Sequence, residues 1–111
     1  MMIDWMYFRA GCTSCKKAMA VFSHKDIEVK ETVEARKIKI EPDEAWEMLS
    51  SGKKIIVAKG NKFVETDTAD ADRFDILQIA MGRSGTLRAP TIRIGDTWIV
   101  GYNEEVYNTK I

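Results

Sequence analysis

The sequence predicts one α/β domain: a βαβ unit, a helical and hairpin insertion, and a closing ββα unit around a mixed sheet. Three observations predict it. A Cys12-Thr13-Ser14-Cys15 motif joins an apolar strand pattern to a helical one, Gly60-Asn61 and Gly95-Asp96 each separate two strand-like runs, and Pro90 interrupts a third. The 111 residues, 45% apolar and 31% charged, suit one globular domain with one modest core. No repeat, low-complexity tract or linker divides the chain. Residues 1–111 are therefore read as a single domain with an insertion at about 38–84.

Taken in order, Ile3 to Phe8 is short, apolar and aromatic, the pattern of a buried strand. Gly11 marks a turn, and a helix is expected from Thr13 to His24. Its stripe is Cys15, Ala18, Met19 and Phe22, while Lys16, Lys17 and Ser23 fall elsewhere. Ile27 to Thr32 alternates as a half-buried strand. Pro42 suits a first helical residue, Asp43 and Glu44 suit the positive helix N-terminus, and Gly52 offers a stop. Lys54 to Lys59 and Lys62 to Glu65 form a hairpin pattern. Asp67 to Asp72 is a polar loop, Arg73 to Met81 a helix ended by Gly82, and Arg83-Ser84-Gly85 a loop. Leu87 to Ile94 and Thr97 to Val100 read as strands, and Asn103-Glu104-Glu105 as a helix start. This is the element order of a thioredoxin-like fold with an insertion before its second half.

Lys plus Arg and Asp plus Glu number 17 each, so the generic electrostatic reason to expect nucleic acid or an anionic membrane as partner is missing. No apolar run approaches the roughly 18 residues of a membrane span. The N-terminus reads as a strand rather than a signal peptide, so a cytoplasmic location is expected. In that compartment two cysteines point to catalysis, redox sensing or metal binding rather than a structural staple.

A thiol reacts as its thiolate, which a helix N-terminus favours. Cys12 belongs to the first turn, where unpaired N–H groups and the helix dipole favour negative charge, and is the expected nucleophile. Cys15 lies one turn on, along the apolar stripe, and is the expected resolving thiol. A zinc site remains an alternative, although only His24 adds to the two sulfurs where tetrahedral zinc wants four ligands. An iron–sulfur site shared between two chains and a pair of inert cysteines stay open too. Pro90, within Ala89-Pro90-Thr91, stands where the thioredoxin-like fold class has a cis-proline facing the dithiol and is expected to be cis, with a trans proline at a strand start as the alternative. Arg9, Arg83 and Arg88 are candidates for the rim, suited to an anionic substrate or glutathione carboxylates. Thr13, Pro90, Arg88 and Arg9 make up the expected substrate contacts. His24 reads as a surface group, Asp67, Asp70 and Asp72 as a solvated loop, and Trp5, Trp46 and Trp98 as core or partner-facing residues.

Tyr7-Phe8-Arg9-Ala10-Gly11-Cys12-Thr13-Ser14-Cys15-Lys16-Lys17-Ala18 resembles the start of the glutaredoxin-linked arsenate reductase (ArsC) family and of Spx-type regulators. Leu87-Arg88-Ala89-Pro90-Thr91 and Gly101-Tyr102-Asn103-Glu104-Glu105 resemble its C-terminal half. The likeness is nearest to a small branch of ArsC family (seleno)proteins, some of which carry selenocysteine where Cys12 stands. It implies a thioredoxin-like fold with a central insertion and a reductase that uses its first cysteine. Two departures separate this chain from arsenate reduction. The arginine that commonly precedes the cis-proline is Ala89 here, and Arg88, one residue earlier, belongs to the opposite strand face. Cys15, absent from typical members, makes an internal disulfide the natural oxidised form. The expectation is a thiol–disulfide oxidoreductase acting on a thiol or disulfide substrate. It binds no cofactor and takes electrons from glutathione or thioredoxin. The alternative is a redox-sensing, Spx-like module whose disulfide changes a protein-binding surface.

Overall fold

The computed structural model describes residues 2–111. Its elements run β1 (Met2–Ile3), β2 (Trp5–Phe8), α1 (Thr13–His24), β3 (Glu28–Val29), β4 (Thr32–Glu34), α2 (Pro42–Leu49), β5 (Lys54–Lys59), β6 (Lys62–Asp67), α3 (Arg73–Ala80), β7 (Thr91–Ile94), β8 (Thr97–Val100) and α4 (Glu104–Lys110). A 3-10 turn at Thr68–Asp70 precedes α3.

Six strands form a mixed sheet in the order β4-β2-β7-β8-β5-β6. The inserted hairpin is part of this sheet: β5 lies parallel to β8, and β6 closes the edge antiparallel to β5. Period-two alternation assigns the two faces. Met6, Ile56, Ile92 and Ile99 point to one side, where Ala18 and Phe22 of α1 and Val106 and Tyr107 of α4 cover them. Tyr7, Ile55, Val57, Trp98 and Val100 point to the other, beneath Ala45 and Leu49 of α2 and Ile76 and Ala80 of α3. Each such large side chain, fully buried, contributes about 1.5–3 kcal/mol.

Several local features answer to side-chain chemistry. Asn103 accepts the Val106 N–H at 3.0 Å, capping α4. Its amide donates to the Gly60 and Lys62 carbonyls, so a buried polar side chain fastens α4 to the β5–β6 turn. Asp72 caps α3 by accepting the Asp75 N–H at 3.0 Å.

Some boundaries depart from expectation. The Ile3 to Phe8 run breaks at Asp4, whose N–H donates to the Arg93 carbonyl and whose carboxylate accepts the Gly95 N–H. Asp4 is thus turned toward the β7–β8 hairpin. Its parallel partner breaks too, into β3 and β4, so Ile27 to Thr32 is not one strand. Two hydrogen bonds, Lys30 N–H to Ile3 O and Met6 N–H to Glu31 O, carry the ladder across the gap in the same register. Met19 is 50% exposed. The buried face of α1 is Cys15, Ala18 and Phe22 with Val21 at its margin, a rotation that leaves Met19 outside. The expected Leu87 to Ile94 strand shortens to Thr91–Ile94. Leu87 and Arg88 give their N–H groups to Ile40 and Ala80 instead of to a neighbouring strand.

Candidate functional site

The chain leaves β2 through Arg9 to Gly11, and Gly11 takes φ +82°, a left-handed turn that a glycine adopts freely. Cys12 follows as the N-cap of α1. Its backbone is extended, and its carbonyl accepts the Lys16 N–H at 3.0 Å. The first turn of α1 holds no acidic residue, and no side chain caps its N–H groups. Cys12 thus opens the helix as a half-buried side chain beside backbone N–H groups that no side chain caps.

Cys15 lies one turn further and is 2% exposed, and both cysteines are free thiols. Its sulfur accepts the Arg9 N–H at 3.4 Å. Burial pushes the Cys15 thiol up from 9.0 to about 12, opposed by that N–H and reinforced by the Cys12 thiol beside it and by Glu34. Cys15 is accordingly a protonated, recessed partner. The Ala89-Pro90 bond is cis, and the Cys12 sulfur lies 3.8 Å from the Ala89 carbonyl oxygen. Pro90 itself is buried and accepts the Gly101 N–H at 2.7 Å, so Ala89 rather than Pro90 meets the cleft.

A cleft of about 650 Å³ opens beside Cys12. Arg9 and Arg83 line it, as the sequence suggested, and Ser14 lines it where Thr13 was expected. Thr13 is exposed outside the cleft. Arg88 reaches the cleft wall, but its Nη1 donates to the carbonyls of Ala58 and Ile79 at 2.8 and 2.9 Å. That half of the guanidinium ties β5 to α3 rather than facing a substrate, and burial pulls Arg88 down from the usual guanidinium range. Arg36 and Lys39 also line the cleft. Sequence reasoning passed over them, although the basic run Arg36-Lys37-Ile38-Lys39 beside a strand end was a visible signal. Glu34 sits close by, its carboxylate accepting the N–H groups of Ala10 and Arg36, which hold it below the usual carboxylate range.

His24 stands at the last turn of α1, nine residues after Cys15 and about 13 Å along the axis at 1.5 Å per residue. The three candidate zinc ligands are therefore not brought together. Among the described residues no group of three His, Cys, Asp or Glu side chains could hold a metal, and no helix is long and apolar enough to cross a membrane. Trp98 is buried, and Trp5 and Trp46 are half-buried against the same core. No protein-family model matches the chain, and comparison with curated proteins finds no match.

Proposed function

We propose that this chain is a thioredoxin-like thiol–disulfide oxidoreductase of the reducing cytoplasm, with Cys12 as nucleophile and Cys15 as resolving thiol. One observation carries the reading: a half-buried cysteine opens a helix at the mouth of a cleft, and a buried cysteine lies beside it one turn on. The βαβ and ββα units about that site and the cis-proline next to it agree with the reading. So does the resemblance of residues 7–18, 87–91 and 101–105 to the arsenate reductase and Spx-type family.

In the reaction the Cys12 thiolate attacks one sulfur of a substrate disulfide. A mixed disulfide forms, the substrate S–S bond breaks, and the departing thiolate takes up a proton. Cys15 then loses its proton and attacks the Cys12 sulfur. The Cys12–Cys15 disulfide forms and the second substrate thiol leaves, so two electrons have passed to the substrate. Glutathione or a thioredoxin-type dithiol returns them. Ala89 stands where an oxyanion-binding arginine would precede the cis-proline, so arsenate is a poor substrate in this reading.

The test is steady-state turnover with glutathione or thioredoxin as donor and disulfide, arsenate and peroxide as substrates. Disulfide reduction by the wild type that disappears in Cys12→Ser is the expected result. Equal rates in the two proteins would overturn the assignment.

A further inference from the structure

The cleft beside Cys12 is lined by five cationic side chains, Arg9, Arg36, Lys39, Arg83 and Arg88, and among the described residues by no carboxylate. A basic chain would produce this trivially, but this chain carries 17 cations and 17 acids. Six of the acids lie on other elements: Asp67, Asp70, Asp72 and Asp75 before and within α3, and Asp43 and Glu44 at the start of α2. The carboxylate oxygens of Glu34 accept two backbone N–H groups, and Glu34 is not among the residues that line the cleft.

Four of the five cations, Arg9, Arg36, Lys39 and Arg83, are exposed. They come from three segments far apart in the chain, the loop before α1, the stretch after β4 and the loop after α3. The fifth, Arg88, has Nη1 engaged by two carbonyls. Four exposed cations around one cleft match a ligand that carries several negative charges. The cleft volume of about 650 Å³ is also in the range of pockets that enclose ligands of many atoms, about 300–1,000 Å³. Its walls offer no aromatic side chain, so charge rather than stacking does the selecting.

We infer that the substrate of this site is an oxidised cysteine carried in an acidic polypeptide segment, whose Asp or Glu residues pair with Arg9, Arg36, Lys39 and Arg83 while its sulfur meets Cys12. The inference rests on the thiol-exchange reading above and adds the partner. Guanidinium groups pair carboxylates bidentately, and a one-signed cleft raises the encounter rate of the opposite charge.

The experiment follows mixed-disulfide formation in the full chain carrying Cys15→Ser. The substrates are short peptides whose single cysteine bears an aromatic thiol as disulfide; Cys12 takes the peptide sulfur and the aromatic thiolate leaves. Peptides with Asp/Glu, Ser or Lys flanks are compared at low and high salt, beside glutathione disulfide. The acidic peptide is expected to react at least about tenfold faster than the lysine one at low salt, an advantage that salt screens away. In an Arg36→Glu, Arg83→Glu double variant the preference reverses or vanishes. Equal rates for all three peptides overturn the inference while leaving thiol exchange intact, and glutathione disulfide outpacing the acidic peptide overturns its polypeptide part. Failure of every disulfide to react overturns the oxidoreductase reading itself.

Discussion

Arg88 occupies the space that a side chain at position 101 would need: a Cβ built on Gly101 would lie 2.9 Å from the Arg88 Nη2 and 3.2 Å from the Ala58 Cβ. Gly101 also holds φ +83°, where other residues are strained. The two residues belong to one joint. Gly101 donates to the Pro90 carbonyl, and Arg88 donates to Ala58 and Ile79, so the joint holds the cis-proline segment against β5 and α3 beside Cys12.

Arg88→Ala is therefore expected to destabilise the fold by about 1–3 kcal/mol, because two part-buried carbonyls lose a charged donor. Arg88→Lys recovers only part of this, since a single ammonium does not reproduce the planar fork. Gly101→Ala is expected to cost a similar amount through strain and displacement of the guanidinium. Urea unfolding of the three variants measures it, and midpoints unchanged in all three would refute the joint.

The Cys15 thiol gives a pH dependence with a definite sign. Its folded value is about 12 against an ordinary 9.0, chiefly through burial. The unfolded chain thus loses this proton first as pH rises. The stabilising contribution is complete below the ordinary value and declines as pH climbs toward the folded one. Tyr7 and Tyr107, also raised by burial, start from 10.0, so between pH 9 and 10 the fall belongs mainly to Cys15. The reduced protein should lose stability across that interval, and Cys15→Ala should flatten the curve. A further check is alkylation of Cys15 in Cys12→Ser at pH 8. It should run far slower than alkylation of an exposed thiol, because burial keeps the Cys15 thiol protonated and covered.

Two buried tyrosines should respond oppositely to loss of their hydroxyls. Tyr7 donates to the Ile38 carbonyl and accepts the Ile40 N–H at 3.3 Å, fastening the stretch before α2 to β2. The Tyr107 hydroxyl is buried with no hydrogen-bond partner among the described residues. Tyr7→Phe is expected to lose about 1–3 kcal/mol, and Tyr107→Phe to be neutral or to gain up to about 1 kcal/mol. Urea midpoints decide it, and a larger loss at Tyr107 than at Tyr7 would contradict the hydrogen-bond assignment.

What the sequence made legible was local. Helix α1 begins at Thr13 and ends at His24 because its apolar spacing and the turn before it are both written in adjacent residues. The Lys54–Lys59 strand, the Asn103 cap and the pairing of Cys12 with Cys15 are legible for the same reason. The break at Asp4 was not, because it depends on Arg93 and Gly95, nearly ninety residues away. The cationic cleft was half legible. Arg9 and Arg83 lie next to obvious landmarks, whereas Arg36 and Lys39 reach Cys12 only when the segment after β4 folds back. Arg88 lines the cleft as expected, but its hold on the Ala58 and Ile79 carbonyls was not legible, because a strand pattern shows which face a side chain takes, not which carbonyls await it there.

Turnover and sensing make different demands on the same dithiol, and the cysteine variants separate them. In an oxidoreductase Cys12→Ser abolishes activity, since the only other thiol, Cys15, is buried and protonated. Cys15→Ser retains the first step and either accumulates the mixed disulfide or keeps partial activity when glutathione resolves it. A sensor requires instead a disulfide that forms readily, poor turnover with either donor, and a partner bound in one redox state alone. The half-buried Cys12 at the mouth of an open, charged cleft favours the turnover reading, because a switch needs no room for substrate. Kinetics on the wild type and both variants, run beside capture from lysate under reducing and oxidising conditions, distinguishes the two. Turnover lost in Cys12→Ser and a trapped species in Cys15→Ser is the expected outcome. Absent turnover together with a partner captured only from oxidised or only from reduced protein would make the chain a regulator.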